Sequence, residues 1–220
     1  MRLIPTLALG VLILTPAASR LSAQDSSENF KWFLGAQGGA LGFGTRLQSR
    51  TWIPSVGGSL LVNARRTGLL ITVDEALGSN ELTGYTDVTQ ATSIRPVNFD
   101  RIRRYSAMLV GYPVRGRTRP YFGVGYNLIQ VESPKVGGVF SSGSLATLHE
   151  QLASNKSTTG HFAFSAGVEF RVGRAIGFGQ YQIATAPAQN LLLKGTIHGA
   201  TGGLRFLIGG AREGVRGGGY

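Results

Sequence analysis

The chain has 220 residues, no cysteine, 33 glycines and 22 basic against 11 acidic residues, for a formal net charge of +11. The missing cysteines exclude a disulfide-held exported scaffold and a thiolate metal centre, and glycine without a three-residue period excludes collagen. The positive charge sits in short turns and not along one helix face, which fits a rim beside anionic headgroups and not a nucleic-acid surface.

Residues 1–23 read as a cleavable secretory signal. Met1-Arg2 supplies the positive start, Leu3 to Leu14 is almost wholly apolar, and Pro16, Ala17, Ala18, Ser19, Ser22 and Ala23 give a small-residue cleavage region. The apolar run falls short of the about 20 residues a membrane helix needs. Cleavage is expected within 19–24, at Ala17-Ala18-Ser19 or Leu21-Ser22-Ala23. A cut after Ala23 removes two of the 22 basic residues and none of the 11 acidic ones, leaving +9. Residues 24–208 are expected to form one domain, followed by a Gly/Arg-rich tail over 209–220.

Eight strands follow in chain order. Lys31 to Phe43 is glycine-rich, with Trp32, Leu34, Ala36 and Ala40 on one side and Gln37 on the other. Val56 to Ala64 sets Val56, Leu60 and Val62 against Ser59, Leu61 and Asn63. Leu69 to Asp74 sets Leu69, Ile71 and Val73 against Leu70, Thr72 and Asp74. Ile102 to Tyr112 carries large residues on both faces; Tyr105, Ala107 and Leu109 are placed outside. Tyr121 to Gln130 alternates Phe122, Val124, Tyr126 and Leu128 with Gly123, Gly125 and Asn127. His161 to Arg171 alternates without exception: Phe162, Phe164, Ala166, Val168 and Phe170 against His161, Ser165, Glu169 and Arg171. In Ala175 to Ile183, Gln180 and Gln182 point inward, which also puts Phe178 inside unless a bulge resets the face. The last strand, about Ile197 to Ile208, sets Leu204, Phe206 and Ile208 against Thr201, Gly203 and Arg205.

The connections alternate between two kinds. Basic turns lie at 64–68, 115–119 and 171–174, and long polar loops at 44–52, 78–100, 132–160 and 185–196. Tight turns on one side and long loops on the other are how a membrane barrel is built. The fold class expected is all-β: an eight-stranded antiparallel up-and-down transmembrane β-barrel with short periplasmic turns, long extracellular loops and a short helix in the third loop. Its lipid-facing residues are Phe162, Phe164, Val168, Phe170, Phe122, Val124, Leu128, Leu204 and Phe206. Trp32, Trp52, Tyr112, Tyr121 and Tyr181 sit towards strand ends, where interfacial girdles form. A soluble barrel of lipocalin type would show the same alternation with the phenylalanines turned inward.

Little in the chain suggests catalysis. His161 and Ser165 share a face but lie about 13 Å apart along a strand, too far for a nucleophile–base pair. No two histidines have short ligand spacing, so no metal or cofactor site is assigned, and the Gly-x-Gly at 123–125 opens no helix. Glu169 and Arg205 both face inward near the short-turn ends of their strands. A carboxylate in a narrow lumen needs a partner, so Glu169 is expected to meet Arg205 or else Arg171 as a structural polar pair. Asp74 with Arg101 or Arg103 is a second candidate cluster at the rim. In the third loop Leu145, Leu148 and Leu152 fall on one helical face over the barrel mouth and are candidate loop contacts.

The segment Arg119-Pro120-Tyr121-Phe122-Gly123-Val124-Gly125-Tyr126, with the final Thr201-Gly202-Gly203-Leu204-Arg205-Phe206, resembles the opacity/OmpX-like family of small outer-membrane barrels. The resemblance covers about residues 29 to 208. It implies a Gram-negative-type outer membrane, contact with its lipids, and a last strand read by the outer-membrane assembly machinery. The chain departs from the family in carrying 209–220 beyond that strand. A non-enzymatic structural or surface-interaction role follows, with an extracellular ligand left open. A narrow OmpW- or porin-like channel and a lipid-modifying enzyme are the alternatives.

Overall fold

The computed structural model describes residues 30–64, 66–87, 94–138, 140, 143–185 and 192–211. The signal-like segment, Tyr220 and most of the expected tail lie outside them. The elements run β1 (Phe30–Gly44), β2 (Thr51–Asn63), β3 (Thr67–Thr86), β4 (Ile94–Gly111), β5 (Thr118–Glu132), β6 (Lys135–Val136), α1 (Gly143–Asn155), β7 (Thr158–Val172), β8 (Ala175–Ala184) and β9 (Lys194–Ala211). Eight antiparallel strands close into a barrel: neighbours in sequence pair, and β9 returns to β1, with Ala36 opposite Leu204 and Gly38 opposite Gly202. The two-residue β6 is an outlier that pairs only with the outer end of β4.

Alternation decides which side of the wall each residue faces. Phe162 is 68% exposed and Phe164 58%, while Ala163 and Ser165, which alternate with them, are buried. The same holds for Phe122, Val124 and Leu128 on β5 and for Leu204 and Phe206 on β9, all outward and exposed. Phe170 is exposed, and Val168 faces out but is half-covered. The polar set Gln37, Asp74, Arg104, Asn127, Glu169, Gln182 and Arg205 is buried inside. This is the reverse of a lipocalin, whose apolar side would line the interior. On β4, Tyr105, Ala107 and Leu109 face out; on β8, Gln180, Gln182 and Phe178 all face in without a bulge.

Several strands are longer than expected, among them β2, which starts at Thr51 and not Val56, and β7, which starts at Thr158 and not His161. The loop at 78–100, whose Thr, Ser and Asn could also extend the strands, does extend them: after a register shift between Leu77 and Glu81, β3 and β4 stay paired from Glu81–Phe99 to Thr86–Ile94. The segment looks like a loop because it lacks apolar alternation; its inward side is Glu81, Thr83 and Tyr85, all buried. The basic turn expected at 115–119 is shorter, because Thr118 and Arg119 already belong to β5. The last strand continues past Ile208 to Ala211. At the β7–β8 turn Gly173 takes φ 59°, a left-handed value that favours glycine in a two-residue hairpin.

Candidate functional site: the barrel interior and its mouth

The lumen is filled in layers. At the short-turn end, parity turns Glu169 inward, and the β5–β7 register sets Arg119 directly opposite it. Arg119 Nη2 donates to Glu169 Oε2 at 2.7 Å, Arg205 Nη1 to Oε1 at 3.2 Å, and the Tyr112 hydroxyl to Oε1 at 3.0 Å. Arg205 also donates through Nε to Ser59 Oγ at 3.1 Å and lies 3.5 Å from the centre of the Phe178 ring. Arg119 stacks on Tyr112 at 4.0 Å; Tyr112 and Tyr121, expected in an outer girdle, are both buried in the lumen. Glu169 and Arg205 are both 0% exposed. Gly35 makes room for this arginine, since a Cβ there would stand 2.7 Å from Arg205 Cγ.

Arg171, the alternative partner for Glu169, goes elsewhere. Its guanidinium sits over the Phe33 ring at 5.5 Å and donates to Asn63 Oδ1 at 2.7 Å with the amide turned to accept. Arg119 is the partner that sequence reasoning missed. It follows a run of basic residues that reads as one solvated turn, and only the register places it opposite Glu169.

Above this floor, Gln182 Nε2 donates to Asn127 Oδ1 at 2.9 Å and to Ser106 Oγ at 3.1 Å, and Ser106 donates to Asn127 Oδ1 at 2.7 Å. Tyr121 donates to Gln180 at 2.7 Å. Asp74 accepts from Arg104 Nη2 at 2.7 Å and Nε at 3.2 Å, and from Gln37 Nε2. The expected pairing of Asp74 with Arg101 or Arg103 is therefore corrected. Those two arginines face outward by parity and reach Glu75, each at 3.4 Å, with Arg103 also 2.8 Å from Glu132. Such exposed pairs contribute little to stability.

Nearer the mouth the interior becomes apolar. Leu41, Phe43, Ile53, Phe99, Ile102, Ile129 and Val131 are buried together, with Phe43 and Phe99 5.8 Å apart. The helix expected in the third loop is present as α1. His149 and Ala153 are its buried residues and Leu152 packs against the core, while Leu148 is 45% exposed and Leu145 half-buried. The three leucines thus do not share one environment: His149 displaces Leu148 from the packed face because it has a polar socket. The Tyr85 hydroxyl and His149 Nδ1 lie 2.6 Å apart, and Asp87 accepts from Arg95 at 2.6 and 2.9 Å. Burial pushes the Tyr85 phenol above its usual range, with Arg95 opposing and Asp87 adding to the shift. The phenol therefore stays neutral at ordinary pH.

Among the described residues, none of the three histidines is hydrogen-bonded to a serine. His161 is buried in the wall and is not bonded to Ser165. His198 faces outward, with Nδ1 2.7 Å from the Tyr181 hydroxyl and Nε2 3.0 Å from Thr196 Oγ1, near Trp52. Tyr85, His149 and Asp87 are covered on all sides. Among the described residues no group of three or more His, Asp or Glu could hold a metal ion, and no helix is long and apolar enough to cross a membrane.

No protein-family model matches the sequence, and no curated protein matches it. Solved structures do match. Neisserial surface protein A is 11% identical, with a TM-score of 0.54, over 80% of this chain and 96% of that one. The N-terminal β-barrel domain of OprF from Pseudomonas aeruginosa is 10% identical over 83% and 100%, with a TM-score of 0.45. The outer membrane protein OprG of the same organism is 11% identical over 82% and 93%, also at 0.45. At such identity the likeness is one of fold: a closed eight-stranded antiparallel barrel of the small outer-membrane type.

Proposed function

We propose that this protein is an integral outer-membrane barrel with a sealed lumen that acts through its extracellular surface and catalyses nothing. The observation that carries the reading is the packing of the interior. The Glu169 layer, the Asn127–Gln182 and Asp74–Arg104 layers and the apolar plug around Phe43 and Phe99 lie one above another, each built of buried side chains. An eight-stranded barrel has an interior just wide enough for such filling. What remains for a partner is the β3–β4 extension, α1 with its exposed Leu148, and the neighbouring loops. Such loops on a rigid barrel are a common place for binding.

The outer wall supports the setting. Along it runs a groove of about 500 Å³ lined by Leu69, Leu109, Val124, Tyr126, Phe162 and Phe164, a surface suited to acyl chains. Residues 1–23 act in this reading as the export signal, and β9 as the strand presented to the assembly machinery. The rival is a narrow channel. Purified protein reconstituted in planar bilayers is expected to give no steps of conductance; regular single-channel openings would favour the channel instead.

A further inference from the structure

The floor of the lumen carries more positive charge than its neighbours neutralise. Three guanidiniums, Arg119, Arg205 and, turned towards Phe33 and Asn63, Arg171, share a floor with one carboxylate, Glu169, whose two oxygens are already taken by Arg119, Arg205 and Tyr112. The next carboxylate up the lumen, Asp74, is held by Arg104 and Gln37. Each of the three arginines also keeps a buried nitrogen with no hydrogen-bond partner among the described residues: Arg119 Nε, Arg171 Nε and Arg205 Nη2. Arg205 is fully buried and Arg119 6% exposed. Buried cations without counter-charge are costly, and so are buried donors without acceptors.

We propose that this floor binds one small inorganic anion of chloride size, held among Arg119, Arg171 and Arg205. Such an ion answers both deficits at once, because it brings negative charge and accepts N–H bonds from several directions. The size follows from the walls. The rings of Tyr112, Phe178 and Phe33 already stack on the three guanidiniums, and a barrel of eight strands leaves little further space. Entry is from the short-turn end, where Arg171 is half-buried and the turns carry the exposed Arg66, Arg115, Arg117 and Arg174. A rim of one charge sign concentrates counter-ions at its mouth.

The test uses the folded full-length barrel in detergent. Urea unfolding is followed in sodium chloride, bromide, phosphate and gluconate at equal ionic strength, with gluconate as the anion too large to enter. The folded-to-unfolded ratio is expected to rise in proportion to one plus the halide concentration over its dissociation constant, reaching about elevenfold at ten times that constant. Arg171→Met is expected to abolish that rise. Bromide-soaked crystals of the unaltered protein are expected to show an anomalous peak in contact with the Arg119, Arg171 and Arg205 nitrogens, a result that needs no variant to fold. Equal stability in all four salts, or bromide crystals with no peak at the floor, would overturn the proposal. Stabilisation by phosphate but not by halide would overturn the size assigned.

Discussion

Glu169→Gln is expected to lower the unfolding free energy of the barrel by about 3–5 kcal/mol, the usual cost of removing one partner from a buried ion pair. The glutamine keeps the volume but loses the charge that Arg119 and Arg205 share at 2.7 and 3.2 Å. Both cations then remain in the interior beside Arg171, with no acid in that layer. Tyr112 loses its carboxylate acceptor as well. The loss is measured by urea titration of protein folded in detergent or lipid. A double variant, Glu169→Gln with Arg119→Gln, should be less damaged than the sum of the two singles, because the pair is removed together. A loss under about 1 kcal/mol for the single change would mean that the floor is solvated rather than buried.

Phe164→Arg is expected to cost about 2–4 kcal/mol, the penalty for an arginine on the lipid face at mid-bilayer depth. Phe164 is near the middle of β7, opposite Val124 near the middle of β5, and both are exposed on the outer wall. Phe170→Arg makes the control. It places the same charge on the same face near the short-turn end of the strand, where the penalty falls to about 0–1 kcal/mol. A depth-dependent difference between the two variants in lipid vesicles is the expected result. In a soluble barrel both positions would be surface sites in water, and both substitutions would be nearly neutral.

Parity makes the wall of this barrel readable from sequence. A strand such as His161–Arg171 assigns all its faces at once, because a period of two leaves no freedom once one residue is placed. That argument carries Phe162, Phe164, Phe170 and their counterparts on β5 and β9 to the outside, and Glu169 with Arg205 to the inside. It also puts Phe178 in the lumen, where the residue looks misplaced until Arg205 is found stacked on its ring. Partner choice is another matter. Placing Tyr105 outside already turns Arg101 and Arg103 outward and Arg104 inward, but large residues on both faces of β4 mask this, and the register then sets Arg104 opposite Asp74. Arg119 is hidden for a different reason, since a basic turn running into a strand shows no change of composition at the boundary. Towards the long-loop end the pattern fades. Polar residues such as Glu81 and Thr83 turn inward there, so β3 and β4 continue through a stretch that looks like loop. On α1, spacing alone selects the leucines, whereas the socket made by Tyr85 places His149 inward and leaves Leu148 exposed.

The account rests on hydrocarbon surrounding the outer wall. A protein with Trp32 and Trp52 replaced by Phe and carrying Phe164→Trp, folded into vesicles of lipids brominated at mid-chain, reads this directly. Strong quenching of its fluorescence by the bromines, with little effect from aqueous iodide, is the result the account predicts. Fluorescence quenched by iodide and untouched by the brominated chains would place that wall in water and contradict it.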